Sequence, residues 1–137
     1  MVELRRQFPG KPDLISDMRD FVREGCCDVW NEASDVQTIS QLELAVSEAA
    51  SNIVLHGLQG QSGELIDLTL NIENQQARVT FLYQGCEFMP QAVPKPDFTG
   101  HAESGYGLYL IRQSVDEVNF SRDDAGRCTM CLIKNRT

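Results

Sequence analysis

Three polar side chains recur at four-residue intervals in the segment 47–56, namely Glu48, Asn52 and His56. On a helix, this spacing places them along one face, at the margin of the neighbouring apolar stripe. A carboxylate at such a margin can act as a general base, and an amide oxygen can coordinate Mg²⁺, which prefers oxygen ligands. The same spacing also occurs on many solvated helices, and a histidine near a helix end suits the negative pole of the helix dipole. Spacing alone therefore leaves a functional site and an ordinary surface both open.

A glycine-rich turn, Gly105-Tyr106-Gly107, precedes a helical pattern that begins at Leu108. Backbone N–H groups at a helix N-terminus can bind an anion such as a phosphate. Glycines also end flexible loops for mechanical reasons, so this turn is a weak signal by itself. Together with the polar helix face, it predicts an anion-binding pocket.

The elements that must position these residues follow from the periodicity of the apolar side chains. We expect helices over residues 13–30, from about 34 to 56, and from 105 onward, the second beginning with a capping box formed by Ser34 and Gln37. Strands are predicted at 2–8, 65–72, 77–83, 117–122 and 127–134. Prolines predict a loop between the third strand and the last helix, and we expect a lid at about 86–105 because long loops in compact domains are often binding segments.

Hairpin-type connections dominate this order of elements. The sequence therefore predicts an α/β (α+β) fold of two layers, in which a mixed, mostly antiparallel sheet carries helices on one face. A doubly wound parallel sheet would need a helix between each pair of strands, and the chain does not alternate in that way.

Composition limits the possible partners. The chain has 137 residues, of which 42% are hydrophobic and 23% are charged, as expected for a single globular domain spanning 1–137. The net charge of -8 disfavours nucleic acid and anionic membranes as partners. The N-terminus lacks an apolar signal core, and the 5 cysteines are irregularly spaced, which favours the cytoplasm. Cys128 and Cys131 have CxxC spacing, but on a strand they would point to opposite faces, so neither zinc nor redox chemistry is expected.

Two segments resemble a known family. Residues 48–52 (Glu-Ala-Ala-Ser-Asn) resemble the asparagine box of the GHKL ATPase/kinase superfamily, and residues 105–118 resemble its second glycine box. The Asp-Glu-Val ending of the second segment and the small size resemble, more narrowly, the anti-sigma-factor serine/threonine protein kinases of bacterial partner-switching systems. The resemblance covers nearly the whole chain.

This resemblance implies a Bergerat-type ATP-binding fold that uses ATP with Mg²⁺. It implies phosphorylation of a STAS-type antagonist protein and sequestration of a sigma factor, often by a homodimer. Carried over by position, Glu48 would be the catalytic base and Asn52 the Mg²⁺ ligand. The other residues implied at the ATP site are His56, Tyr83, Gly85, Gly105, Tyr106, Gly107, Leu108 and Thr129.

The sequence departs from the family at Tyr83, which stands where the family has an aspartate that accepts a hydrogen bond from adenine, while Gly85 is kept. Losing a charged acceptor corresponds to about 1.5–3 kcal/mol of binding free energy. Two hypotheses follow: an ATP-dependent protein kinase, or a non-catalytic partner-switch module with weak or lost ATP binding. A histidine-kinase catalytic fragment is a third, less favoured reading, because the chain has no room for a phosphoacceptor hairpin.

Overall fold

The computed structural model describes residues 1–57, 64–84 and 106–136. The strands are β1 (Val2–Pro9), β2 (Leu65–Ile72), β3 (Gln76–Gln84), β4 (Glu117–Arg122) and β5 (Arg127–Asn135). The helices are α1 (Ile15–Val29), which follows a 3₁₀ turn at Pro12–Leu14, then α2 (Val36–Asn52), which continues as a π turn at Ile53–Gly57, and α3 (Tyr106–Ser114). The expected lid at about 86–105 lies outside the described residues.

One sheet joins the five strands in the order β1-β2-β3-β5-β4. Each described pair of neighbouring strands is antiparallel, so the predicted mostly antiparallel sheet is confirmed. β2 and β3 form a tight hairpin in which the Glu73 backbone N–H donates to the Gln76 carbonyl at 2.7 Å. Buried and less buried residues alternate along both strands, which is the pattern of a sheet with one covered face.

The helices cover one face of this sheet and the core lies between the two layers. The predicted apolar stripe of α2 is buried throughout, at Leu42, Val46, Ala49 and Ile53. It meets the inward residues of the central strands, which are Leu68, Leu70, Val79, Phe81, Met130 and Leu132. α3 packs against α2 and buries Leu108 and Ile111. The predicted two-layer architecture is therefore confirmed.

The start of α2 differs from the prediction. Asp35 rather than Ser34 precedes the first helical turn, and no side-chain cap forms there, so the predicted capping box is wrong. The Asp35 carboxylate instead accepts two hydrogen bonds from the Arg136 guanidinium, at 2.9 and 3.0 Å. A charge-assisted bidentate pair competes effectively with a local cap, and it fixes the start of α2 beside the end of β5.

The two cysteines with CxxC spacing lie on opposite faces of β5, as predicted from strand geometry. Cys128 is buried, and Cys131, three residues along β5, is less so and lies on the other face. Among the described residues no cluster of His, Cys, Asp and Glu could hold a metal ion. No helix within residues 1–57 or 106–136 is long and apolar enough to cross a bilayer.

Candidate functional site

Glu48 and Asn52 lie in the last turns of α2, at the edge of its buried stripe. Both side chains are half-buried, whereas the adjacent Ala49 and Ala50 are completely buried. The four-residue spacing therefore places a carboxylate and an amide on one partly dry face of the helix, as predicted. Such a position offers both apolar walls and access from outside.

Gly107 brings the first turn of α3 against these two side chains. A Cβ atom at position 107 would lie 3.0 Å from Oε2 of Glu48 and 3.2 Å from Oδ1 of Asn52. Only a residue without a side chain allows the two helices to approach this closely. The structure thus assembles the two motif segments, which are more than fifty residues apart in the chain, into one site.

The side-chain amide nitrogen of Asn52 lacks a hydrogen-bond partner among the described residues. Nδ2 is buried and finds no acceptor in the part of the chain that the structure describes. An unsatisfied buried donor is unfavourable by about 1–3 kcal/mol, so native proteins usually retain one where a ligand or water completes it. The group therefore marks a position that a water molecule or a polar ligand would occupy.

The backbone beyond Asn52 leaves regular helical geometry. Residues Ile53–Gly57 form a π turn, and the N–H of Ile53 is shared between the carbonyls of Ala49 and Ala50. Single π turns are frequent at functional sites. His56 lies in this turn, but its side chain is outside the described part of the structure, as is that of Tyr106. Gly85 and Gly105 also lie outside the described residues.

Tyr83 is located on the helix-covered face of the sheet near the end of β3. Its side chain is 4% exposed, and burial raises the pKa of the phenol to about 12. The residue directly across from it on β5 is Cys128. At neutral pH the hydroxyl therefore keeps its proton and can both donate and accept a hydrogen bond.

Thr129 is not brought together with the other predicted residues. It pairs with Leu82 on β3 and with Ser121 on β4. Because successive residues of a strand face opposite sides of the sheet, Thr129 lies on the face away from α2. Cys128 is the β5 residue on the same side as Tyr83. The alternation with buried Met130 and Leu132 could have shown this from the sequence.

Chemically, the described site combines a proton acceptor, an oxygen donor for a hard cation and the N-terminus of a helix. Glu48 supplies the carboxylate and Asn52 the amide oxygen. The first backbone N–H groups of α3 have no acceptor within their own helix and can meet a phosphate. This donor set fits a metal-bound phosphate near Gly107, where the buried amide nitrogen of Asn52 has no partner among the described residues.

Residues 6–133 match the family model described as the histidine kinase-like ATPase domain. The chain belongs to this family. The matched region includes Glu48, Asn52 and Gly107, so the candidate site lies entirely within the histidine kinase-like ATPase domain.

Curated relatives fall within the anti-sigma-factor branch expected from the sequence. The chain is 30% identical to the serine-protein kinase RsbW of Bacillus pumilus, covering 97% of this chain and 86% of the relative. It is 24% identical to an anti-sigma F factor of Bacillus cereus, covering 72% of this chain and 70% of the relative. The predicted resemblance to partner-switching kinases is thereby confirmed.

Solved structures support the same fold. One similar chain comes from the SiaB–SiaC complex of Pseudomonas aeruginosa, with a TM-score of 0.60, 15% identity, and coverage of 96% of this chain and 89% of that one. Another is the catalytic domain of the histidine kinase ThkA, with a TM-score of 0.55, 10% identity, and coverage of 98% of both chains. At these identities the likeness establishes the histidine kinase-like ATPase fold.

Proposed function

We propose that this protein is an ATP-dependent serine/threonine protein kinase that phosphorylates an antagonist protein and sequesters a sigma factor. The observation that carries the proposal is the contact of Gly107 with both Glu48 and Asn52. It gathers a carboxylate, a side-chain amide and a helix N-terminus at one point. The names of the relatives, a serine-protein kinase and an anti-sigma F factor, support the choice of substrate and partner classes.

In the proposed reaction, Glu48 accepts the proton of a serine or threonine hydroxyl as that oxygen attacks the γ-phosphorus of ATP. The bond from the γ-phosphorus to the bridging oxygen breaks and ADP leaves. The carboxylate is half-buried, so it can meet a protein substrate from outside while its position is fixed by α2. General-base catalysis of this kind contributes about 10²–10⁴ in rate.

Asn52 is proposed to hold Mg²⁺ through Oδ1, while Nδ2 donates to a phosphate oxygen. This assignment satisfies the buried amide nitrogen that has no acceptor within the described residues. When bound, Mg²⁺ would neutralise charge on the phosphates. The absent side chain of Gly107 lets the first turn of α3 approach Glu48 and Asn52, and its neighbour Leu108 anchors that turn in the core.

The wider setting belongs to the same proposal. Residues 1–137 are proposed to act as one domain, with a STAS-type antagonist and a sigma factor as partners and a homodimer as the working form. ATP and sigma factors meet in the cytoplasm, which agrees with the location expected from the sequence.

A matched pair of variants tests the kinase proposal. Both Glu43 and Glu48 lie on α2, but Glu43 faces Arg23 on α1, with Oε1 3.6 Å from Nε. With radiolabelled ATP and candidate STAS-domain proteins, Glu48→Gln should lose about 10²–10⁴ of the transfer rate yet keep partner binding, and Glu43→Gln should transfer normally. Normal transfer by Glu48→Gln would remove Glu48 from its role.

A second candidate function is a non-catalytic partner-switch module, favoured by the buried ring of Tyr83 at the position of the expected adenine acceptor. Calorimetric titration of the protein with ATP and Mg²⁺ separates the two functions. Heat of binding at or below millimolar ATP supports the kinase. No binding at millimolar ATP would exclude the kinase and retain the non-catalytic partner-switch module as the function.

A further inference from the structure

Tyr83 carries a buried polar group that the proposed phosphoryl transfer does not use. Its side chain is 4% exposed, and burial alone accounts for the raised pKa of its phenol. Within the described residues, its hydroxyl makes no hydrogen bond. The side chain as a whole is buried, but its hydroxyl is available for a hydrogen bond to a ligand.

Tyr83 and Asn52 lie at similar distances from the end of the fold at which α2 and β3 begin. Arg136 joins the starts of both elements, because its guanidinium binds Asp35 and its backbone N–H donates to the Gln75 carbonyl at 2.8 Å. The rise from Asp35 to Asn52 along a helix is about 26 Å. The rise from Gln75 to Tyr83 along a strand is about 27 Å.

α2 packs on the sheet over β5, the strand directly beside Tyr83. From these two rises we expect the phenol at the end of the sheet over which α2 carries Glu48 and Asn52. A nucleotide with its phosphates at Gly107 and Asn52 would extend its base toward this end of the sheet. The group that the base meets there is a neutral hydroxyl rather than a carboxylate.

The hydroxyl has a hydrogen-bonding property that a carboxylate lacks. An ionised carboxylate only accepts, whereas a phenol both donates and accepts. At the corresponding ring position adenine carries an amino donor and guanine carries a carbonyl acceptor. A carboxylate can bind the amino group but opposes the carbonyl, while a phenol can bind either by rotating its O–H.

We infer that Tyr83 makes the pocket permissive for both purine bases, so that the protein binds GTP with an affinity similar to that for ATP. The inference rests on the proposed nucleotide-dependent function and specifies its substrate class. The difference between the two nucleotides should stay within about tenfold in affinity, because neither base leaves the hydroxyl unpaired.

Calorimetric titration with MgATP and MgGTP tests the inference on the full chain and three variants. For the wild type, the two dissociation constants should agree within about tenfold. Tyr83→Asp should shift the ratio toward ATP by about ten- to a hundredfold, because a carboxylate opposes the guanine carbonyl. Tyr83→Phe should weaken the binding of both nucleotides by a similar factor of about three to ten. Thr80→Val, on the opposite face of the same strand, should change neither.

The outcomes distinguish the inference from the proposed function. Binding of ATP with GTP more than a hundredfold weaker overturns the inference and leaves the kinase proposal standing. Failure of both nucleotides to bind overturns both. If Tyr83→Asp does not fold, Tyr83→Phe tests the inference instead. Unchanged affinity for ATP and GTP would show that Tyr83 does not contact the base. A similar loss of affinity for both nucleotides would support the contact.

Discussion

Gly107 lies so close to Glu48 that a Cβ atom on the glycine would be 3.0 Å from the carboxylate oxygen Oε2. The two residues belong to different helices, and their contact sets the separation of α2 and α3 at the candidate site. Any side chain at position 107 would have to displace the carboxylate, the amide of Asn52 or the helix itself. The glycine is therefore a geometric requirement of the site.

Gly107→Ala should damage activity while leaving the fold intact or more stable. Alanine favours a helix over glycine by about 1 kcal/mol, so the melting temperature should hold or rise. The added methyl group would displace Glu48 and Asn52 by a few tenths of an ångström. Because a misplacement of about 1 Å lowers catalysed rates about a hundredfold, the phosphotransfer rate should fall by about three- to tenfold. Phosphotransfer assays and thermal melts on the same preparation measure the two effects.

Gln113→Ala is the matched control for this experiment, since Gln113 is an exposed residue of α3. It should leave phosphotransfer at the wild-type level. Wild-type transfer by Gly107→Ala would contradict the close packing at the site.

Gly25→Ala should lower the stability of the fold and leave the candidate site unaffected. A Cβ atom at position 25 in α1 would meet Leu70 at 2.5 Å and Leu4 at 3.0 Å, and Leu70 is fully buried. Overpacking of this kind destabilises by about 1–3 kcal/mol, which exceeds the helix-propensity gain of about 1 kcal/mol. Urea unfolding should show the loss, and nucleotide affinity should stay unchanged in the folded protein. The exposed neighbour Glu24→Ala serves as control, and equal stability of the two variants would contradict the packing argument.

The Asp35–Arg136 pair should make the protein sensitive to acid. Hydrogen bonding to Arg136 lowers the pKa of Asp35 below its ordinary value of 3.8. A lowered pKa in the folded state contributes stability that is complete above the unfolded pKa, near 4, and is lost as the pH falls through the folded pKa. Thermal melts from pH 7 down to pH 2 should therefore show a steeper loss for the wild type than for Asp35→Asn. If the melting temperatures of the two proteins fall equally with pH, the Asp35–Arg136 pair is not the cause of the acid sensitivity.

The phenol of Tyr83 should lose its proton at a higher pH than an ordinary tyrosine. Its pKa is raised to about 12 by burial, so the folded state holds the proton more tightly than the unfolded state, whose tyrosine pKa is about 10. Stability from this group is complete below pH 10 and is lost as the pH rises toward 12. Ultraviolet absorbance of tyrosinate should lose its highest-pH component in Tyr83→Phe. A component that persists in the variant would show that the buried phenol is not its source.

Elements with strong periodicity were predictable from the sequence. β2 has the predicted bounds, and the α2 stripe from Leu42 to Ile53 is buried as expected. These elements depend on the alternation of neighbouring residues, which any single sequence displays. The start of α2 was not predictable, because the partner of Asp35 is Arg136, 101 residues away.

The candidate site was predictable only in its parts. The four-residue spacing drew attention to Glu48 and Asn52 and the glycine turn to Gly107, and the family resemblance assigned their roles. Their contact depends on how α3 packs against α2, which no local pattern encodes. Thr129 shows the limit of transfer by motif, because a shift of one residue on a strand moves a side chain to the other face of the sheet.

The order of the strands has a consequence for biosynthesis. β5 follows β4 in the chain but is inserted between β3 and β4, so the middle of the sheet stays open until residues 127–135 have left the ribosome. A nascent chain that ends before them exposes the unpaired edge of β3, a hydrogen-bonding surface prone to self-association. Folding of this sheet is therefore completed only after β5 has left the ribosome, and a ribosome stalled before that point would expose an aggregation-prone intermediate for chaperones to shield.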